Sequence, residues 1–254
     1  MELKEVITML EQLSPPSFAE DWDNSGLMCG RAAKEVKSIL LSVDATDEVV
    51  EEAVLTGADL LLTHHPLIFP SVSHITEEDH VGRKLLKLIA SDVACYSMHT
   101  NFDAGKDGMN DALANALHLE DIKRLETAPM ARGGRLPKKM EIHEFAKYVN
   151  KCLGLEYSHL IHAGKDEIET AAIIGGGGSR EFINAMLEGY DIYISGDIPH
   201  HARRDVISNH YNFLDVCHEV ERIFMPQMKK ILLEIDPTLN VEIIDHEELP
   251  ELIK

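Results

Sequence analysis

No apolar run in this chain approaches the length needed to cross a bilayer, and its mean hydropathy is near neutral, so a membrane-spanning helix is not expected. The start, Met1-Glu2-Leu3-Lys4-Glu5, lacks the basic-then-apolar order of a secretory signal, and a cytoplasmic location is the expectation. The four cysteines, Cys29, Cys95, Cys152 and Cys217, stand far apart with no C-x-x-C pair. That spacing argues against a disulfide framework and against a thiolate zinc knuckle. Basic residues are also scarce, 24 against 44 acidic, giving a formal charge of −20. Such a surface repels phosphate backbones unless a local basic patch or bound cations offset it, so nucleic acid is a disfavoured partner. The run Gly175-Gly176-Gly177-Gly178-Ser179 lacks the Lys-Ser/Thr of a P-loop and the spacing of a dinucleotide fingerprint. A tight turn accounts for it at least as well as a phosphate cradle.

What the chain does have is enough apolar residue, 44% of 254, for a substantial core, and fourteen histidines gathered at informative places. Leu60-Leu61-Leu62-Thr63 is a short apolar run that ends abruptly in His64-His65-Pro66. It reads as a buried strand whose carboxyl end opens into a loop, the position where open α/β sheets place ligands. Neighbouring strand residues point to opposite faces, so both imidazoles converge only if the backbone leaves strand geometry there. Pro66 favours that departure.

The plan around this strand occurs twice. Lys37–Val43 is a β-rich run leading through Asp44-Ala45-Thr46 into an amphipathic helix with Val49, Val50, Ala53 and Val54 inward, then Gly57, Asp59 and the strand. Thr170–Ile174 leads through the glycine run into a helix with Phe182, Ile183 and Met186, then Gly189, Asp191 and a strand ending in Ser195-Gly196-Asp197. Each half continues through another helix to a strand that ends near a histidine, His99 or His218. The fold class expected is therefore α/β: two related lobes with mixed sheets flanked by helices, and a metal site in the cleft between them. Residues 1–126 with 205–254 are assigned to a first lobe carrying most of the ligands, and 127–204 to an inserted second lobe. Thr127–Lys139, rich in Gly, Pro and basic residues, reads as a turn-rich connection in which Arg132–Lys139 is a solvated loop rather than an anion site. Helices are expected from Leu3 to Leu10 and from Glu141 to Leu153, and a strand from Asn240 to Ile244.

Four clusters hold the chemistry: His64-His65, His99-Thr100-Asn101-Phe102-Asp103, His200-His201, and Asp215 through Glu221. Imidazole and carboxylate donors together suit zinc, iron, manganese or nickel, and paired ions call for a bridging carboxylate, a role open to Asp103. His218 and Glu221 stand three residues apart, which puts both on one helical face. Any one histidine is more often a satisfied polar residue than a ligand, Asp103 fits an Asx turn or helix cap before Gly105, and Glu219 competes with Glu221 as a ligand. Four clusters at equivalent strand ends are harder to assign to chance. The set contains no soft thiolate unless Cys217 joins it, which argues against a redox cluster.

Together, Trp22-Asp23-Asn24-Ser25-Gly26-Leu27, Thr63-His64-His65-Pro66, His99 through Ala104, Ser195-Gly196-Asp197 with His200-His201, and Asp215 through Glu221 resemble the NIF-three-like dinuclear metal-centre proteins, also named GTP cyclohydrolase I type 2 homologues. The resemblance runs through nearly the whole chain. It implies two divalent ions per subunit, iron, zinc or manganese, held by His64, His65, Asp103, His218 and Glu221. It places His99 and His201 close by as proton-transfer groups. It further implies a toroidal homohexamer and metal-dependent hydrolysis of a nucleotide or related small molecule, with the imidazole ring of GTP as the named target. A non-catalytic metal-binding scaffold or regulator, forming a ring that contacts protein or nucleic acid, is the alternative. One departure is visible: many members place the last glutamate four residues after the histidine, whereas here Glu221 stands third and Arg222 fourth.

Overall fold

The computed structural model of the chain describes residues 1–246 and 253. In chain order it contains α1 (Leu3–Leu13), β1 (Gly26–Cys29), β2 (Ser38–Ser42), α2 (Asp47–Leu55), β3 (Leu60–Thr63), α3 (His80–Ala90), β4 (Ala94–Ser97) and the short α4 (Thr100–Ala104). Then come α5 (Met109–Ala116), β5 (Glu120–Arg124), β6 (Arg132–Glu141), α6 (Ile142–Leu153), β7 (His159–Ile161), β8 (Glu167–Ile173), α7 (Phe182–Leu187), β9 (Ile192–Gly196), α8 (His200–Ser208) and β10 (Asn212–Val216). After a 3-10 segment at His218–Ile223, α9 (Phe224–Ile235) and β11 (Asn240–Ile243) complete the order. No helix among the described residues is long and apolar enough to cross a membrane.

Two compact units result, Met1–Lys106 with Phe224–Glu247, and Asp107–Ile223. Both junctions differ from the expected 1–126 with 205–254 and 127–204, and the strand pairing explains why. β5 pairs with β6, and β10 lies between β9 and β7, so the segments on either side of the anticipated insert belong to the second sheet. His218 and Glu221 therefore sit in the second unit rather than with the histidines of the first.

The first sheet has the order β1-β4-β3-β2-β11, parallel except for the edge strand β1. β3 is buried at every residue, as a strand covered on both faces must be. Alternation turns Leu40, Leu61 and Cys95 toward Val49, Val50 and Ala53 of α2 and Val81, Leu85 and Leu88 of α3, while α9 packs against β2 and β11. The second sheet has the order β5-β6-β8-β9-β10-β7, with only the β8-β9-β10 core parallel. Ala172, Tyr193 and Phe213 meet Phe182, Ala185, Ala202 and Val206 from α7 and α8.

The duplicated plan is real at the level of hydrogen bonds. Asp59 Oδ2 accepts from the backbone N–H groups of Lys37 and Ser38 at 2.9 and 3.0 Å, and Asp191 Oδ2 from those of Glu169 and Thr170 at 2.9 and 3.0 Å. Each carboxylate thus ties the start of one parallel strand to the backbone of the strand before it, at the start of β2 and in the middle of β8. Each also pairs with a lysine, Lys34 or Lys165.

The segment expected to be a solvated loop is instead the second strand of the second sheet. Arg132 is 3% exposed and pairs with Asp111, while its guanidinium also donates to the carbonyls of Pro129 and Met130 at 3.0 Å. Gly133 is required because a Cβ there would lie 2.1 Å from the Tyr190 ring. Pro137 falls where the β6-β8 register breaks, between Arg135 and Met140, a place that needs no ladder donor.

Candidate functional site

In the first unit, β3 ends at Thr63 and the chain leaves the ladder at once. The N–H groups of His64 and His65 both reach the Val43 carbonyl, at 3.1 and 2.9 Å, and Thr63 Oγ1 donates to the His65 carbonyl at 2.8 Å. This tight exit puts two successive imidazoles on one side, with ring centroids 5.0 Å apart. His99, two residues beyond β4, completes the group, its centroid 5.1 Å from that of His64 and 5.4 Å from that of His65. One nitrogen from each of the three rings lies within 4.8 Å of the others. Asp103, 8% exposed on α4, brings Oδ1 to 3.8 Å from His64 Nε2.

Each ring is held through Nδ1. His64 Nδ1 donates to the Met98 carbonyl at 2.8 Å, His65 Nδ1 meets both Asp44 oxygens at 3.0 Å, and His99 Nδ1 meets Asp23 Oδ1 at 2.8 Å. A carbonyl or carboxylate can only accept, so Nδ1 carries the proton and Nε2 carries the lone pair of the neutral ring. That is how metal-ligating histidines are oriented, and conserving the tautomer raises ligand basicity. Burial alone would raise the Asp23 carboxyl. Hydrogen bonds from His99, Thr100 and Ser25 outweigh it and hold the group well below the usual carboxylate range.

In the second unit, His218 and Glu221 lie on the 3-10 segment after β10, where residues three apart eclipse. His218 Nε2 is 3.0 Å from Glu221 Oε2, and Nδ1 is 2.6 Å from Asp197 Oδ2. Glu221 first, and then Asp197, outweigh the effect of burial and push His218 up to about 9, so this pocket favours positive charge on the ring. Asp197 holds its carboxylate from a left-handed backbone at φ 53°, a conformation that Asp tolerates better than most residues. Glu221 is 4% exposed and Glu219 is half-buried, and the contact with His218 belongs to Glu221.

Gly176 explains the glycine run. At φ 60° it turns beside the pair, and a Cβ would come 2.1 Å from Glu221 Oε1 and 3.2 Å from His218 Nε2. The run makes room for these side chains. Burial and the neighbouring Glu219 raise the Cys217 thiol, and Cys217 belongs to no group of closely spaced donors among the described residues. His201, expected to move protons, is exposed on the first turn of α8 and belongs to no group of closely spaced donors among the described residues.

Each unit thus presents nitrogen and oxygen donors of the borderline-to-hard kind that suits zinc, iron or manganese. The positions expected as ligands all lie at these two places, and His99 joins the histidine cluster itself. Sequence reasoning assigned no role to Asp23, Asp44 or Asp197. The one available signal was that Asp23 falls within the Trp22–Leu27 motif and that Asp44 and Asp197 each end a strand-turn segment.

The sequence pattern of the Duf34/NIF3 (NGG1p interacting factor 3) family matches residues 1–250. A relative from Clostridium perfringens described as a GTP cyclohydrolase 1 type 2 homolog is 36% identical over 226 residues, covering 86% of each chain. NIF3-like protein 1 of Drosophila melanogaster is 32% identical over 253 residues, covering 95% of this chain and 84% of its own. Among solved structures, a hypothetical protein of Staphylococcus aureus shares the fold at a TM-score of 0.88 with 27% identity, covering 96% of both chains. With the family pattern spanning almost its full length, the chain belongs to the Duf34/NIF3 family.

Proposed function

We propose that this chain holds two divalent ions per subunit on His64, His65, Asp103, His218 and Glu221, and that it hydrolyses a nucleotide or a related small molecule. What supports the reading above all is the second contact of each histidine. His64, His65 and His99 each have Nδ1 fixed by a carbonyl or carboxylate, which assigns the lone pair to the ring's other nitrogen, and His218 has its own Nδ1 fixed by Asp197. Four histidines held through the same nitrogen are hard to explain as core polar residues, which need only be satisfied.

Divalent ions at such a site supply Lewis-acid polarisation and a water acidified toward neutral pH. The chain's own residues do the rest. Asp44 keeps His65 in the ligating tautomer, and Asp197 orients the His218 ring through Nδ1. Asp23 fixes His99, which is then set to hold or move a proton at Nε2. Buried Asp103 contributes a carboxylate able to bridge. The family relatives' description makes the imidazole ring of GTP the first substrate to test.

Metal analysis of protein purified without chelators is the direct experiment, with two ions per chain expected. His65→Ala should abolish both loading and turnover, and Glu221→Gln should lower loading where Glu219→Gln leaves it intact. Metal at background would overturn the metal assignment, and undiminished turnover by metal-free protein would overturn the hydrolase.

A further inference from the structure

We infer that Trp22 and Phe69 form a ring-binding wall beside the histidine cluster of the first unit, so that the ligand at this site carries a planar heteroaromatic ring such as a nucleobase; the inference rests on the metal-hydrolase reading. Trp22 is the only tryptophan in the chain and is 57% exposed, and Phe69 is 51% exposed. Large aromatic side chains usually go inside, so two of them left in solvent and touching each other call for a reason. Their ring centroids are 6.0 Å apart at 68°, and Trp22 stands 5.7 Å from His99 at 73°. Both contacts are of the edge type, which leaves parallel stacking on the indole to a third ring.

The wall is also anchored. Asp23, next to Trp22, accepts from His99 Nδ1 at 2.8 Å, Thr100 N at 3.1 Å and Ser25 Oγ at 2.7 Å. Asn24 Nδ2 donates to the Ile68 carbonyl at 2.7 Å, which ties the tryptophan turn to the segment carrying Phe69. A floppy apolar loop would need no such ties, whereas a pre-organised stacking platform does, because rigidity lowers the ordering cost of binding. The platform abuts His99, which places a stacked ring within reach of the histidine cluster. Stacking of a base on an aromatic face contributes about 1–3 kcal/mol, which favours a heteroaromatic ring at this wall.

Because Trp22 is the sole tryptophan, its emission reports on this site alone. The metal-loaded protein, as isolated, is titrated with AMP and GMP, and with ribose 5-phosphate and inorganic phosphate as controls that lack an aromatic ring. Saturable quenching by at least one nucleotide and none by the controls is expected. Trp22→Leu should weaken nucleotide binding roughly 5- to 100-fold by calorimetry, the range expected for loss of one base-stacking partner. Phe69→Leu, which keeps the fluorophore, should shift the quenching curve to higher concentration. Metal loading measured on the same samples separates the two readings. Protein with full metal that shows equal response to ribose 5-phosphate, or no response to either nucleotide, would overturn the wall while leaving the metal assignment intact. Indole emission that is blue-shifted and shielded from acrylamide only at assembly concentrations would also overturn it, by showing that a second copy of the chain covers Trp22.

Discussion

Replacing Asp23 with asparagine should destabilise the first unit by about 3 kcal/mol at neutral pH. The side chain is fully buried, and its two oxygens serve different donors. Oδ1 accepts from His99 Nδ1 at 2.8 Å and Asn24 N at 2.7 Å; Oδ2 accepts from Ser25 Oγ at 2.7 Å, Thr100 N at 3.1 Å and Thr100 Oγ1 at 2.5 Å. An amide keeps one oxygen and turns an NH2 group toward at least two donors on the other side. Charge-assisted hydrogen bonds contribute about 1.5–3 kcal/mol each, so two lost bonds give roughly 3–6 kcal/mol. The Ser25 and Thr100 hydroxyls can rotate to accept instead, which selects the lower end. The pH dependence has a definite sign. The folded carboxyl is held below its ordinary value, so its contribution is fully present above the unfolded value of about 4 and is lost as pH falls toward the folded value. Urea denaturation of wild type and Asp23→Asn should show a constant gap from about pH 7 to 5 that narrows below about pH 4. A gap under about 1 kcal/mol at pH 7, less than one charge-assisted bond, or one that widens in acid, would refute the reasoning.

Asp191→Ala strands two backbone N–H groups beneath a side chain only 6% exposed and should cost about 2–4 kcal/mol, while Asp59→Ala, at 26% exposure, should cost about half that, both read from urea midpoints. Gly176→Ala forces a left-handed alanine against Glu221 Oε1, so about 1–2 kcal/mol of stability and most of the metal occupancy should be lost. Gly177→Ala, where a Cβ meets nothing within 4 Å, should leave both unchanged.

The parallel cores were legible because β3 and β9 are short apolar runs that each follow Gly-x-Asp, Gly57-Ala58-Asp59 and Gly189-Tyr190-Asp191. The antiparallel strands of the second sheet were not. Glu120–Arg124 is an edge strand with four of its five residues exposed, so no apolar alternation marks it. Arg132–Glu141 carries the glycine, proline and arginine of a loop, and it is a strand because Gly133 admits the Tyr190 ring and Asp111 neutralises Arg132. At the site, the clustered histidines announced themselves by standing at strand ends. Their orienting carboxylates did not, since Asp23 is 76 residues from His99 and Asp44 is 21 from His65, separations that only the completed sheet closes.

The duplication itself says why the two units hold different donors. Asp59 and Asp191 start equivalent strands, so the residues after β3 and at the end of β9 correspond: His64 to Gly196, and His65 to Asp197. In the first unit both positions carry imidazoles. In the second a side chain at Gly196 is crowded, because a Cβ there would lie 3.0 Å from the carbonyl oxygens of both Gly176 and Val216. The imidazole comes instead from His218, two residues past β10, as His99 stands two past β4. Asp197 then orients that ring from within the repeat, while His99 draws its carboxylate from Asp23, outside the repeated plan. Strand ends are fixed by the shared frame, and the donor at each end by what the local backbone can admit. Substitutions in the frame should therefore act on folding, and substitutions at the ends on the proposed metal binding.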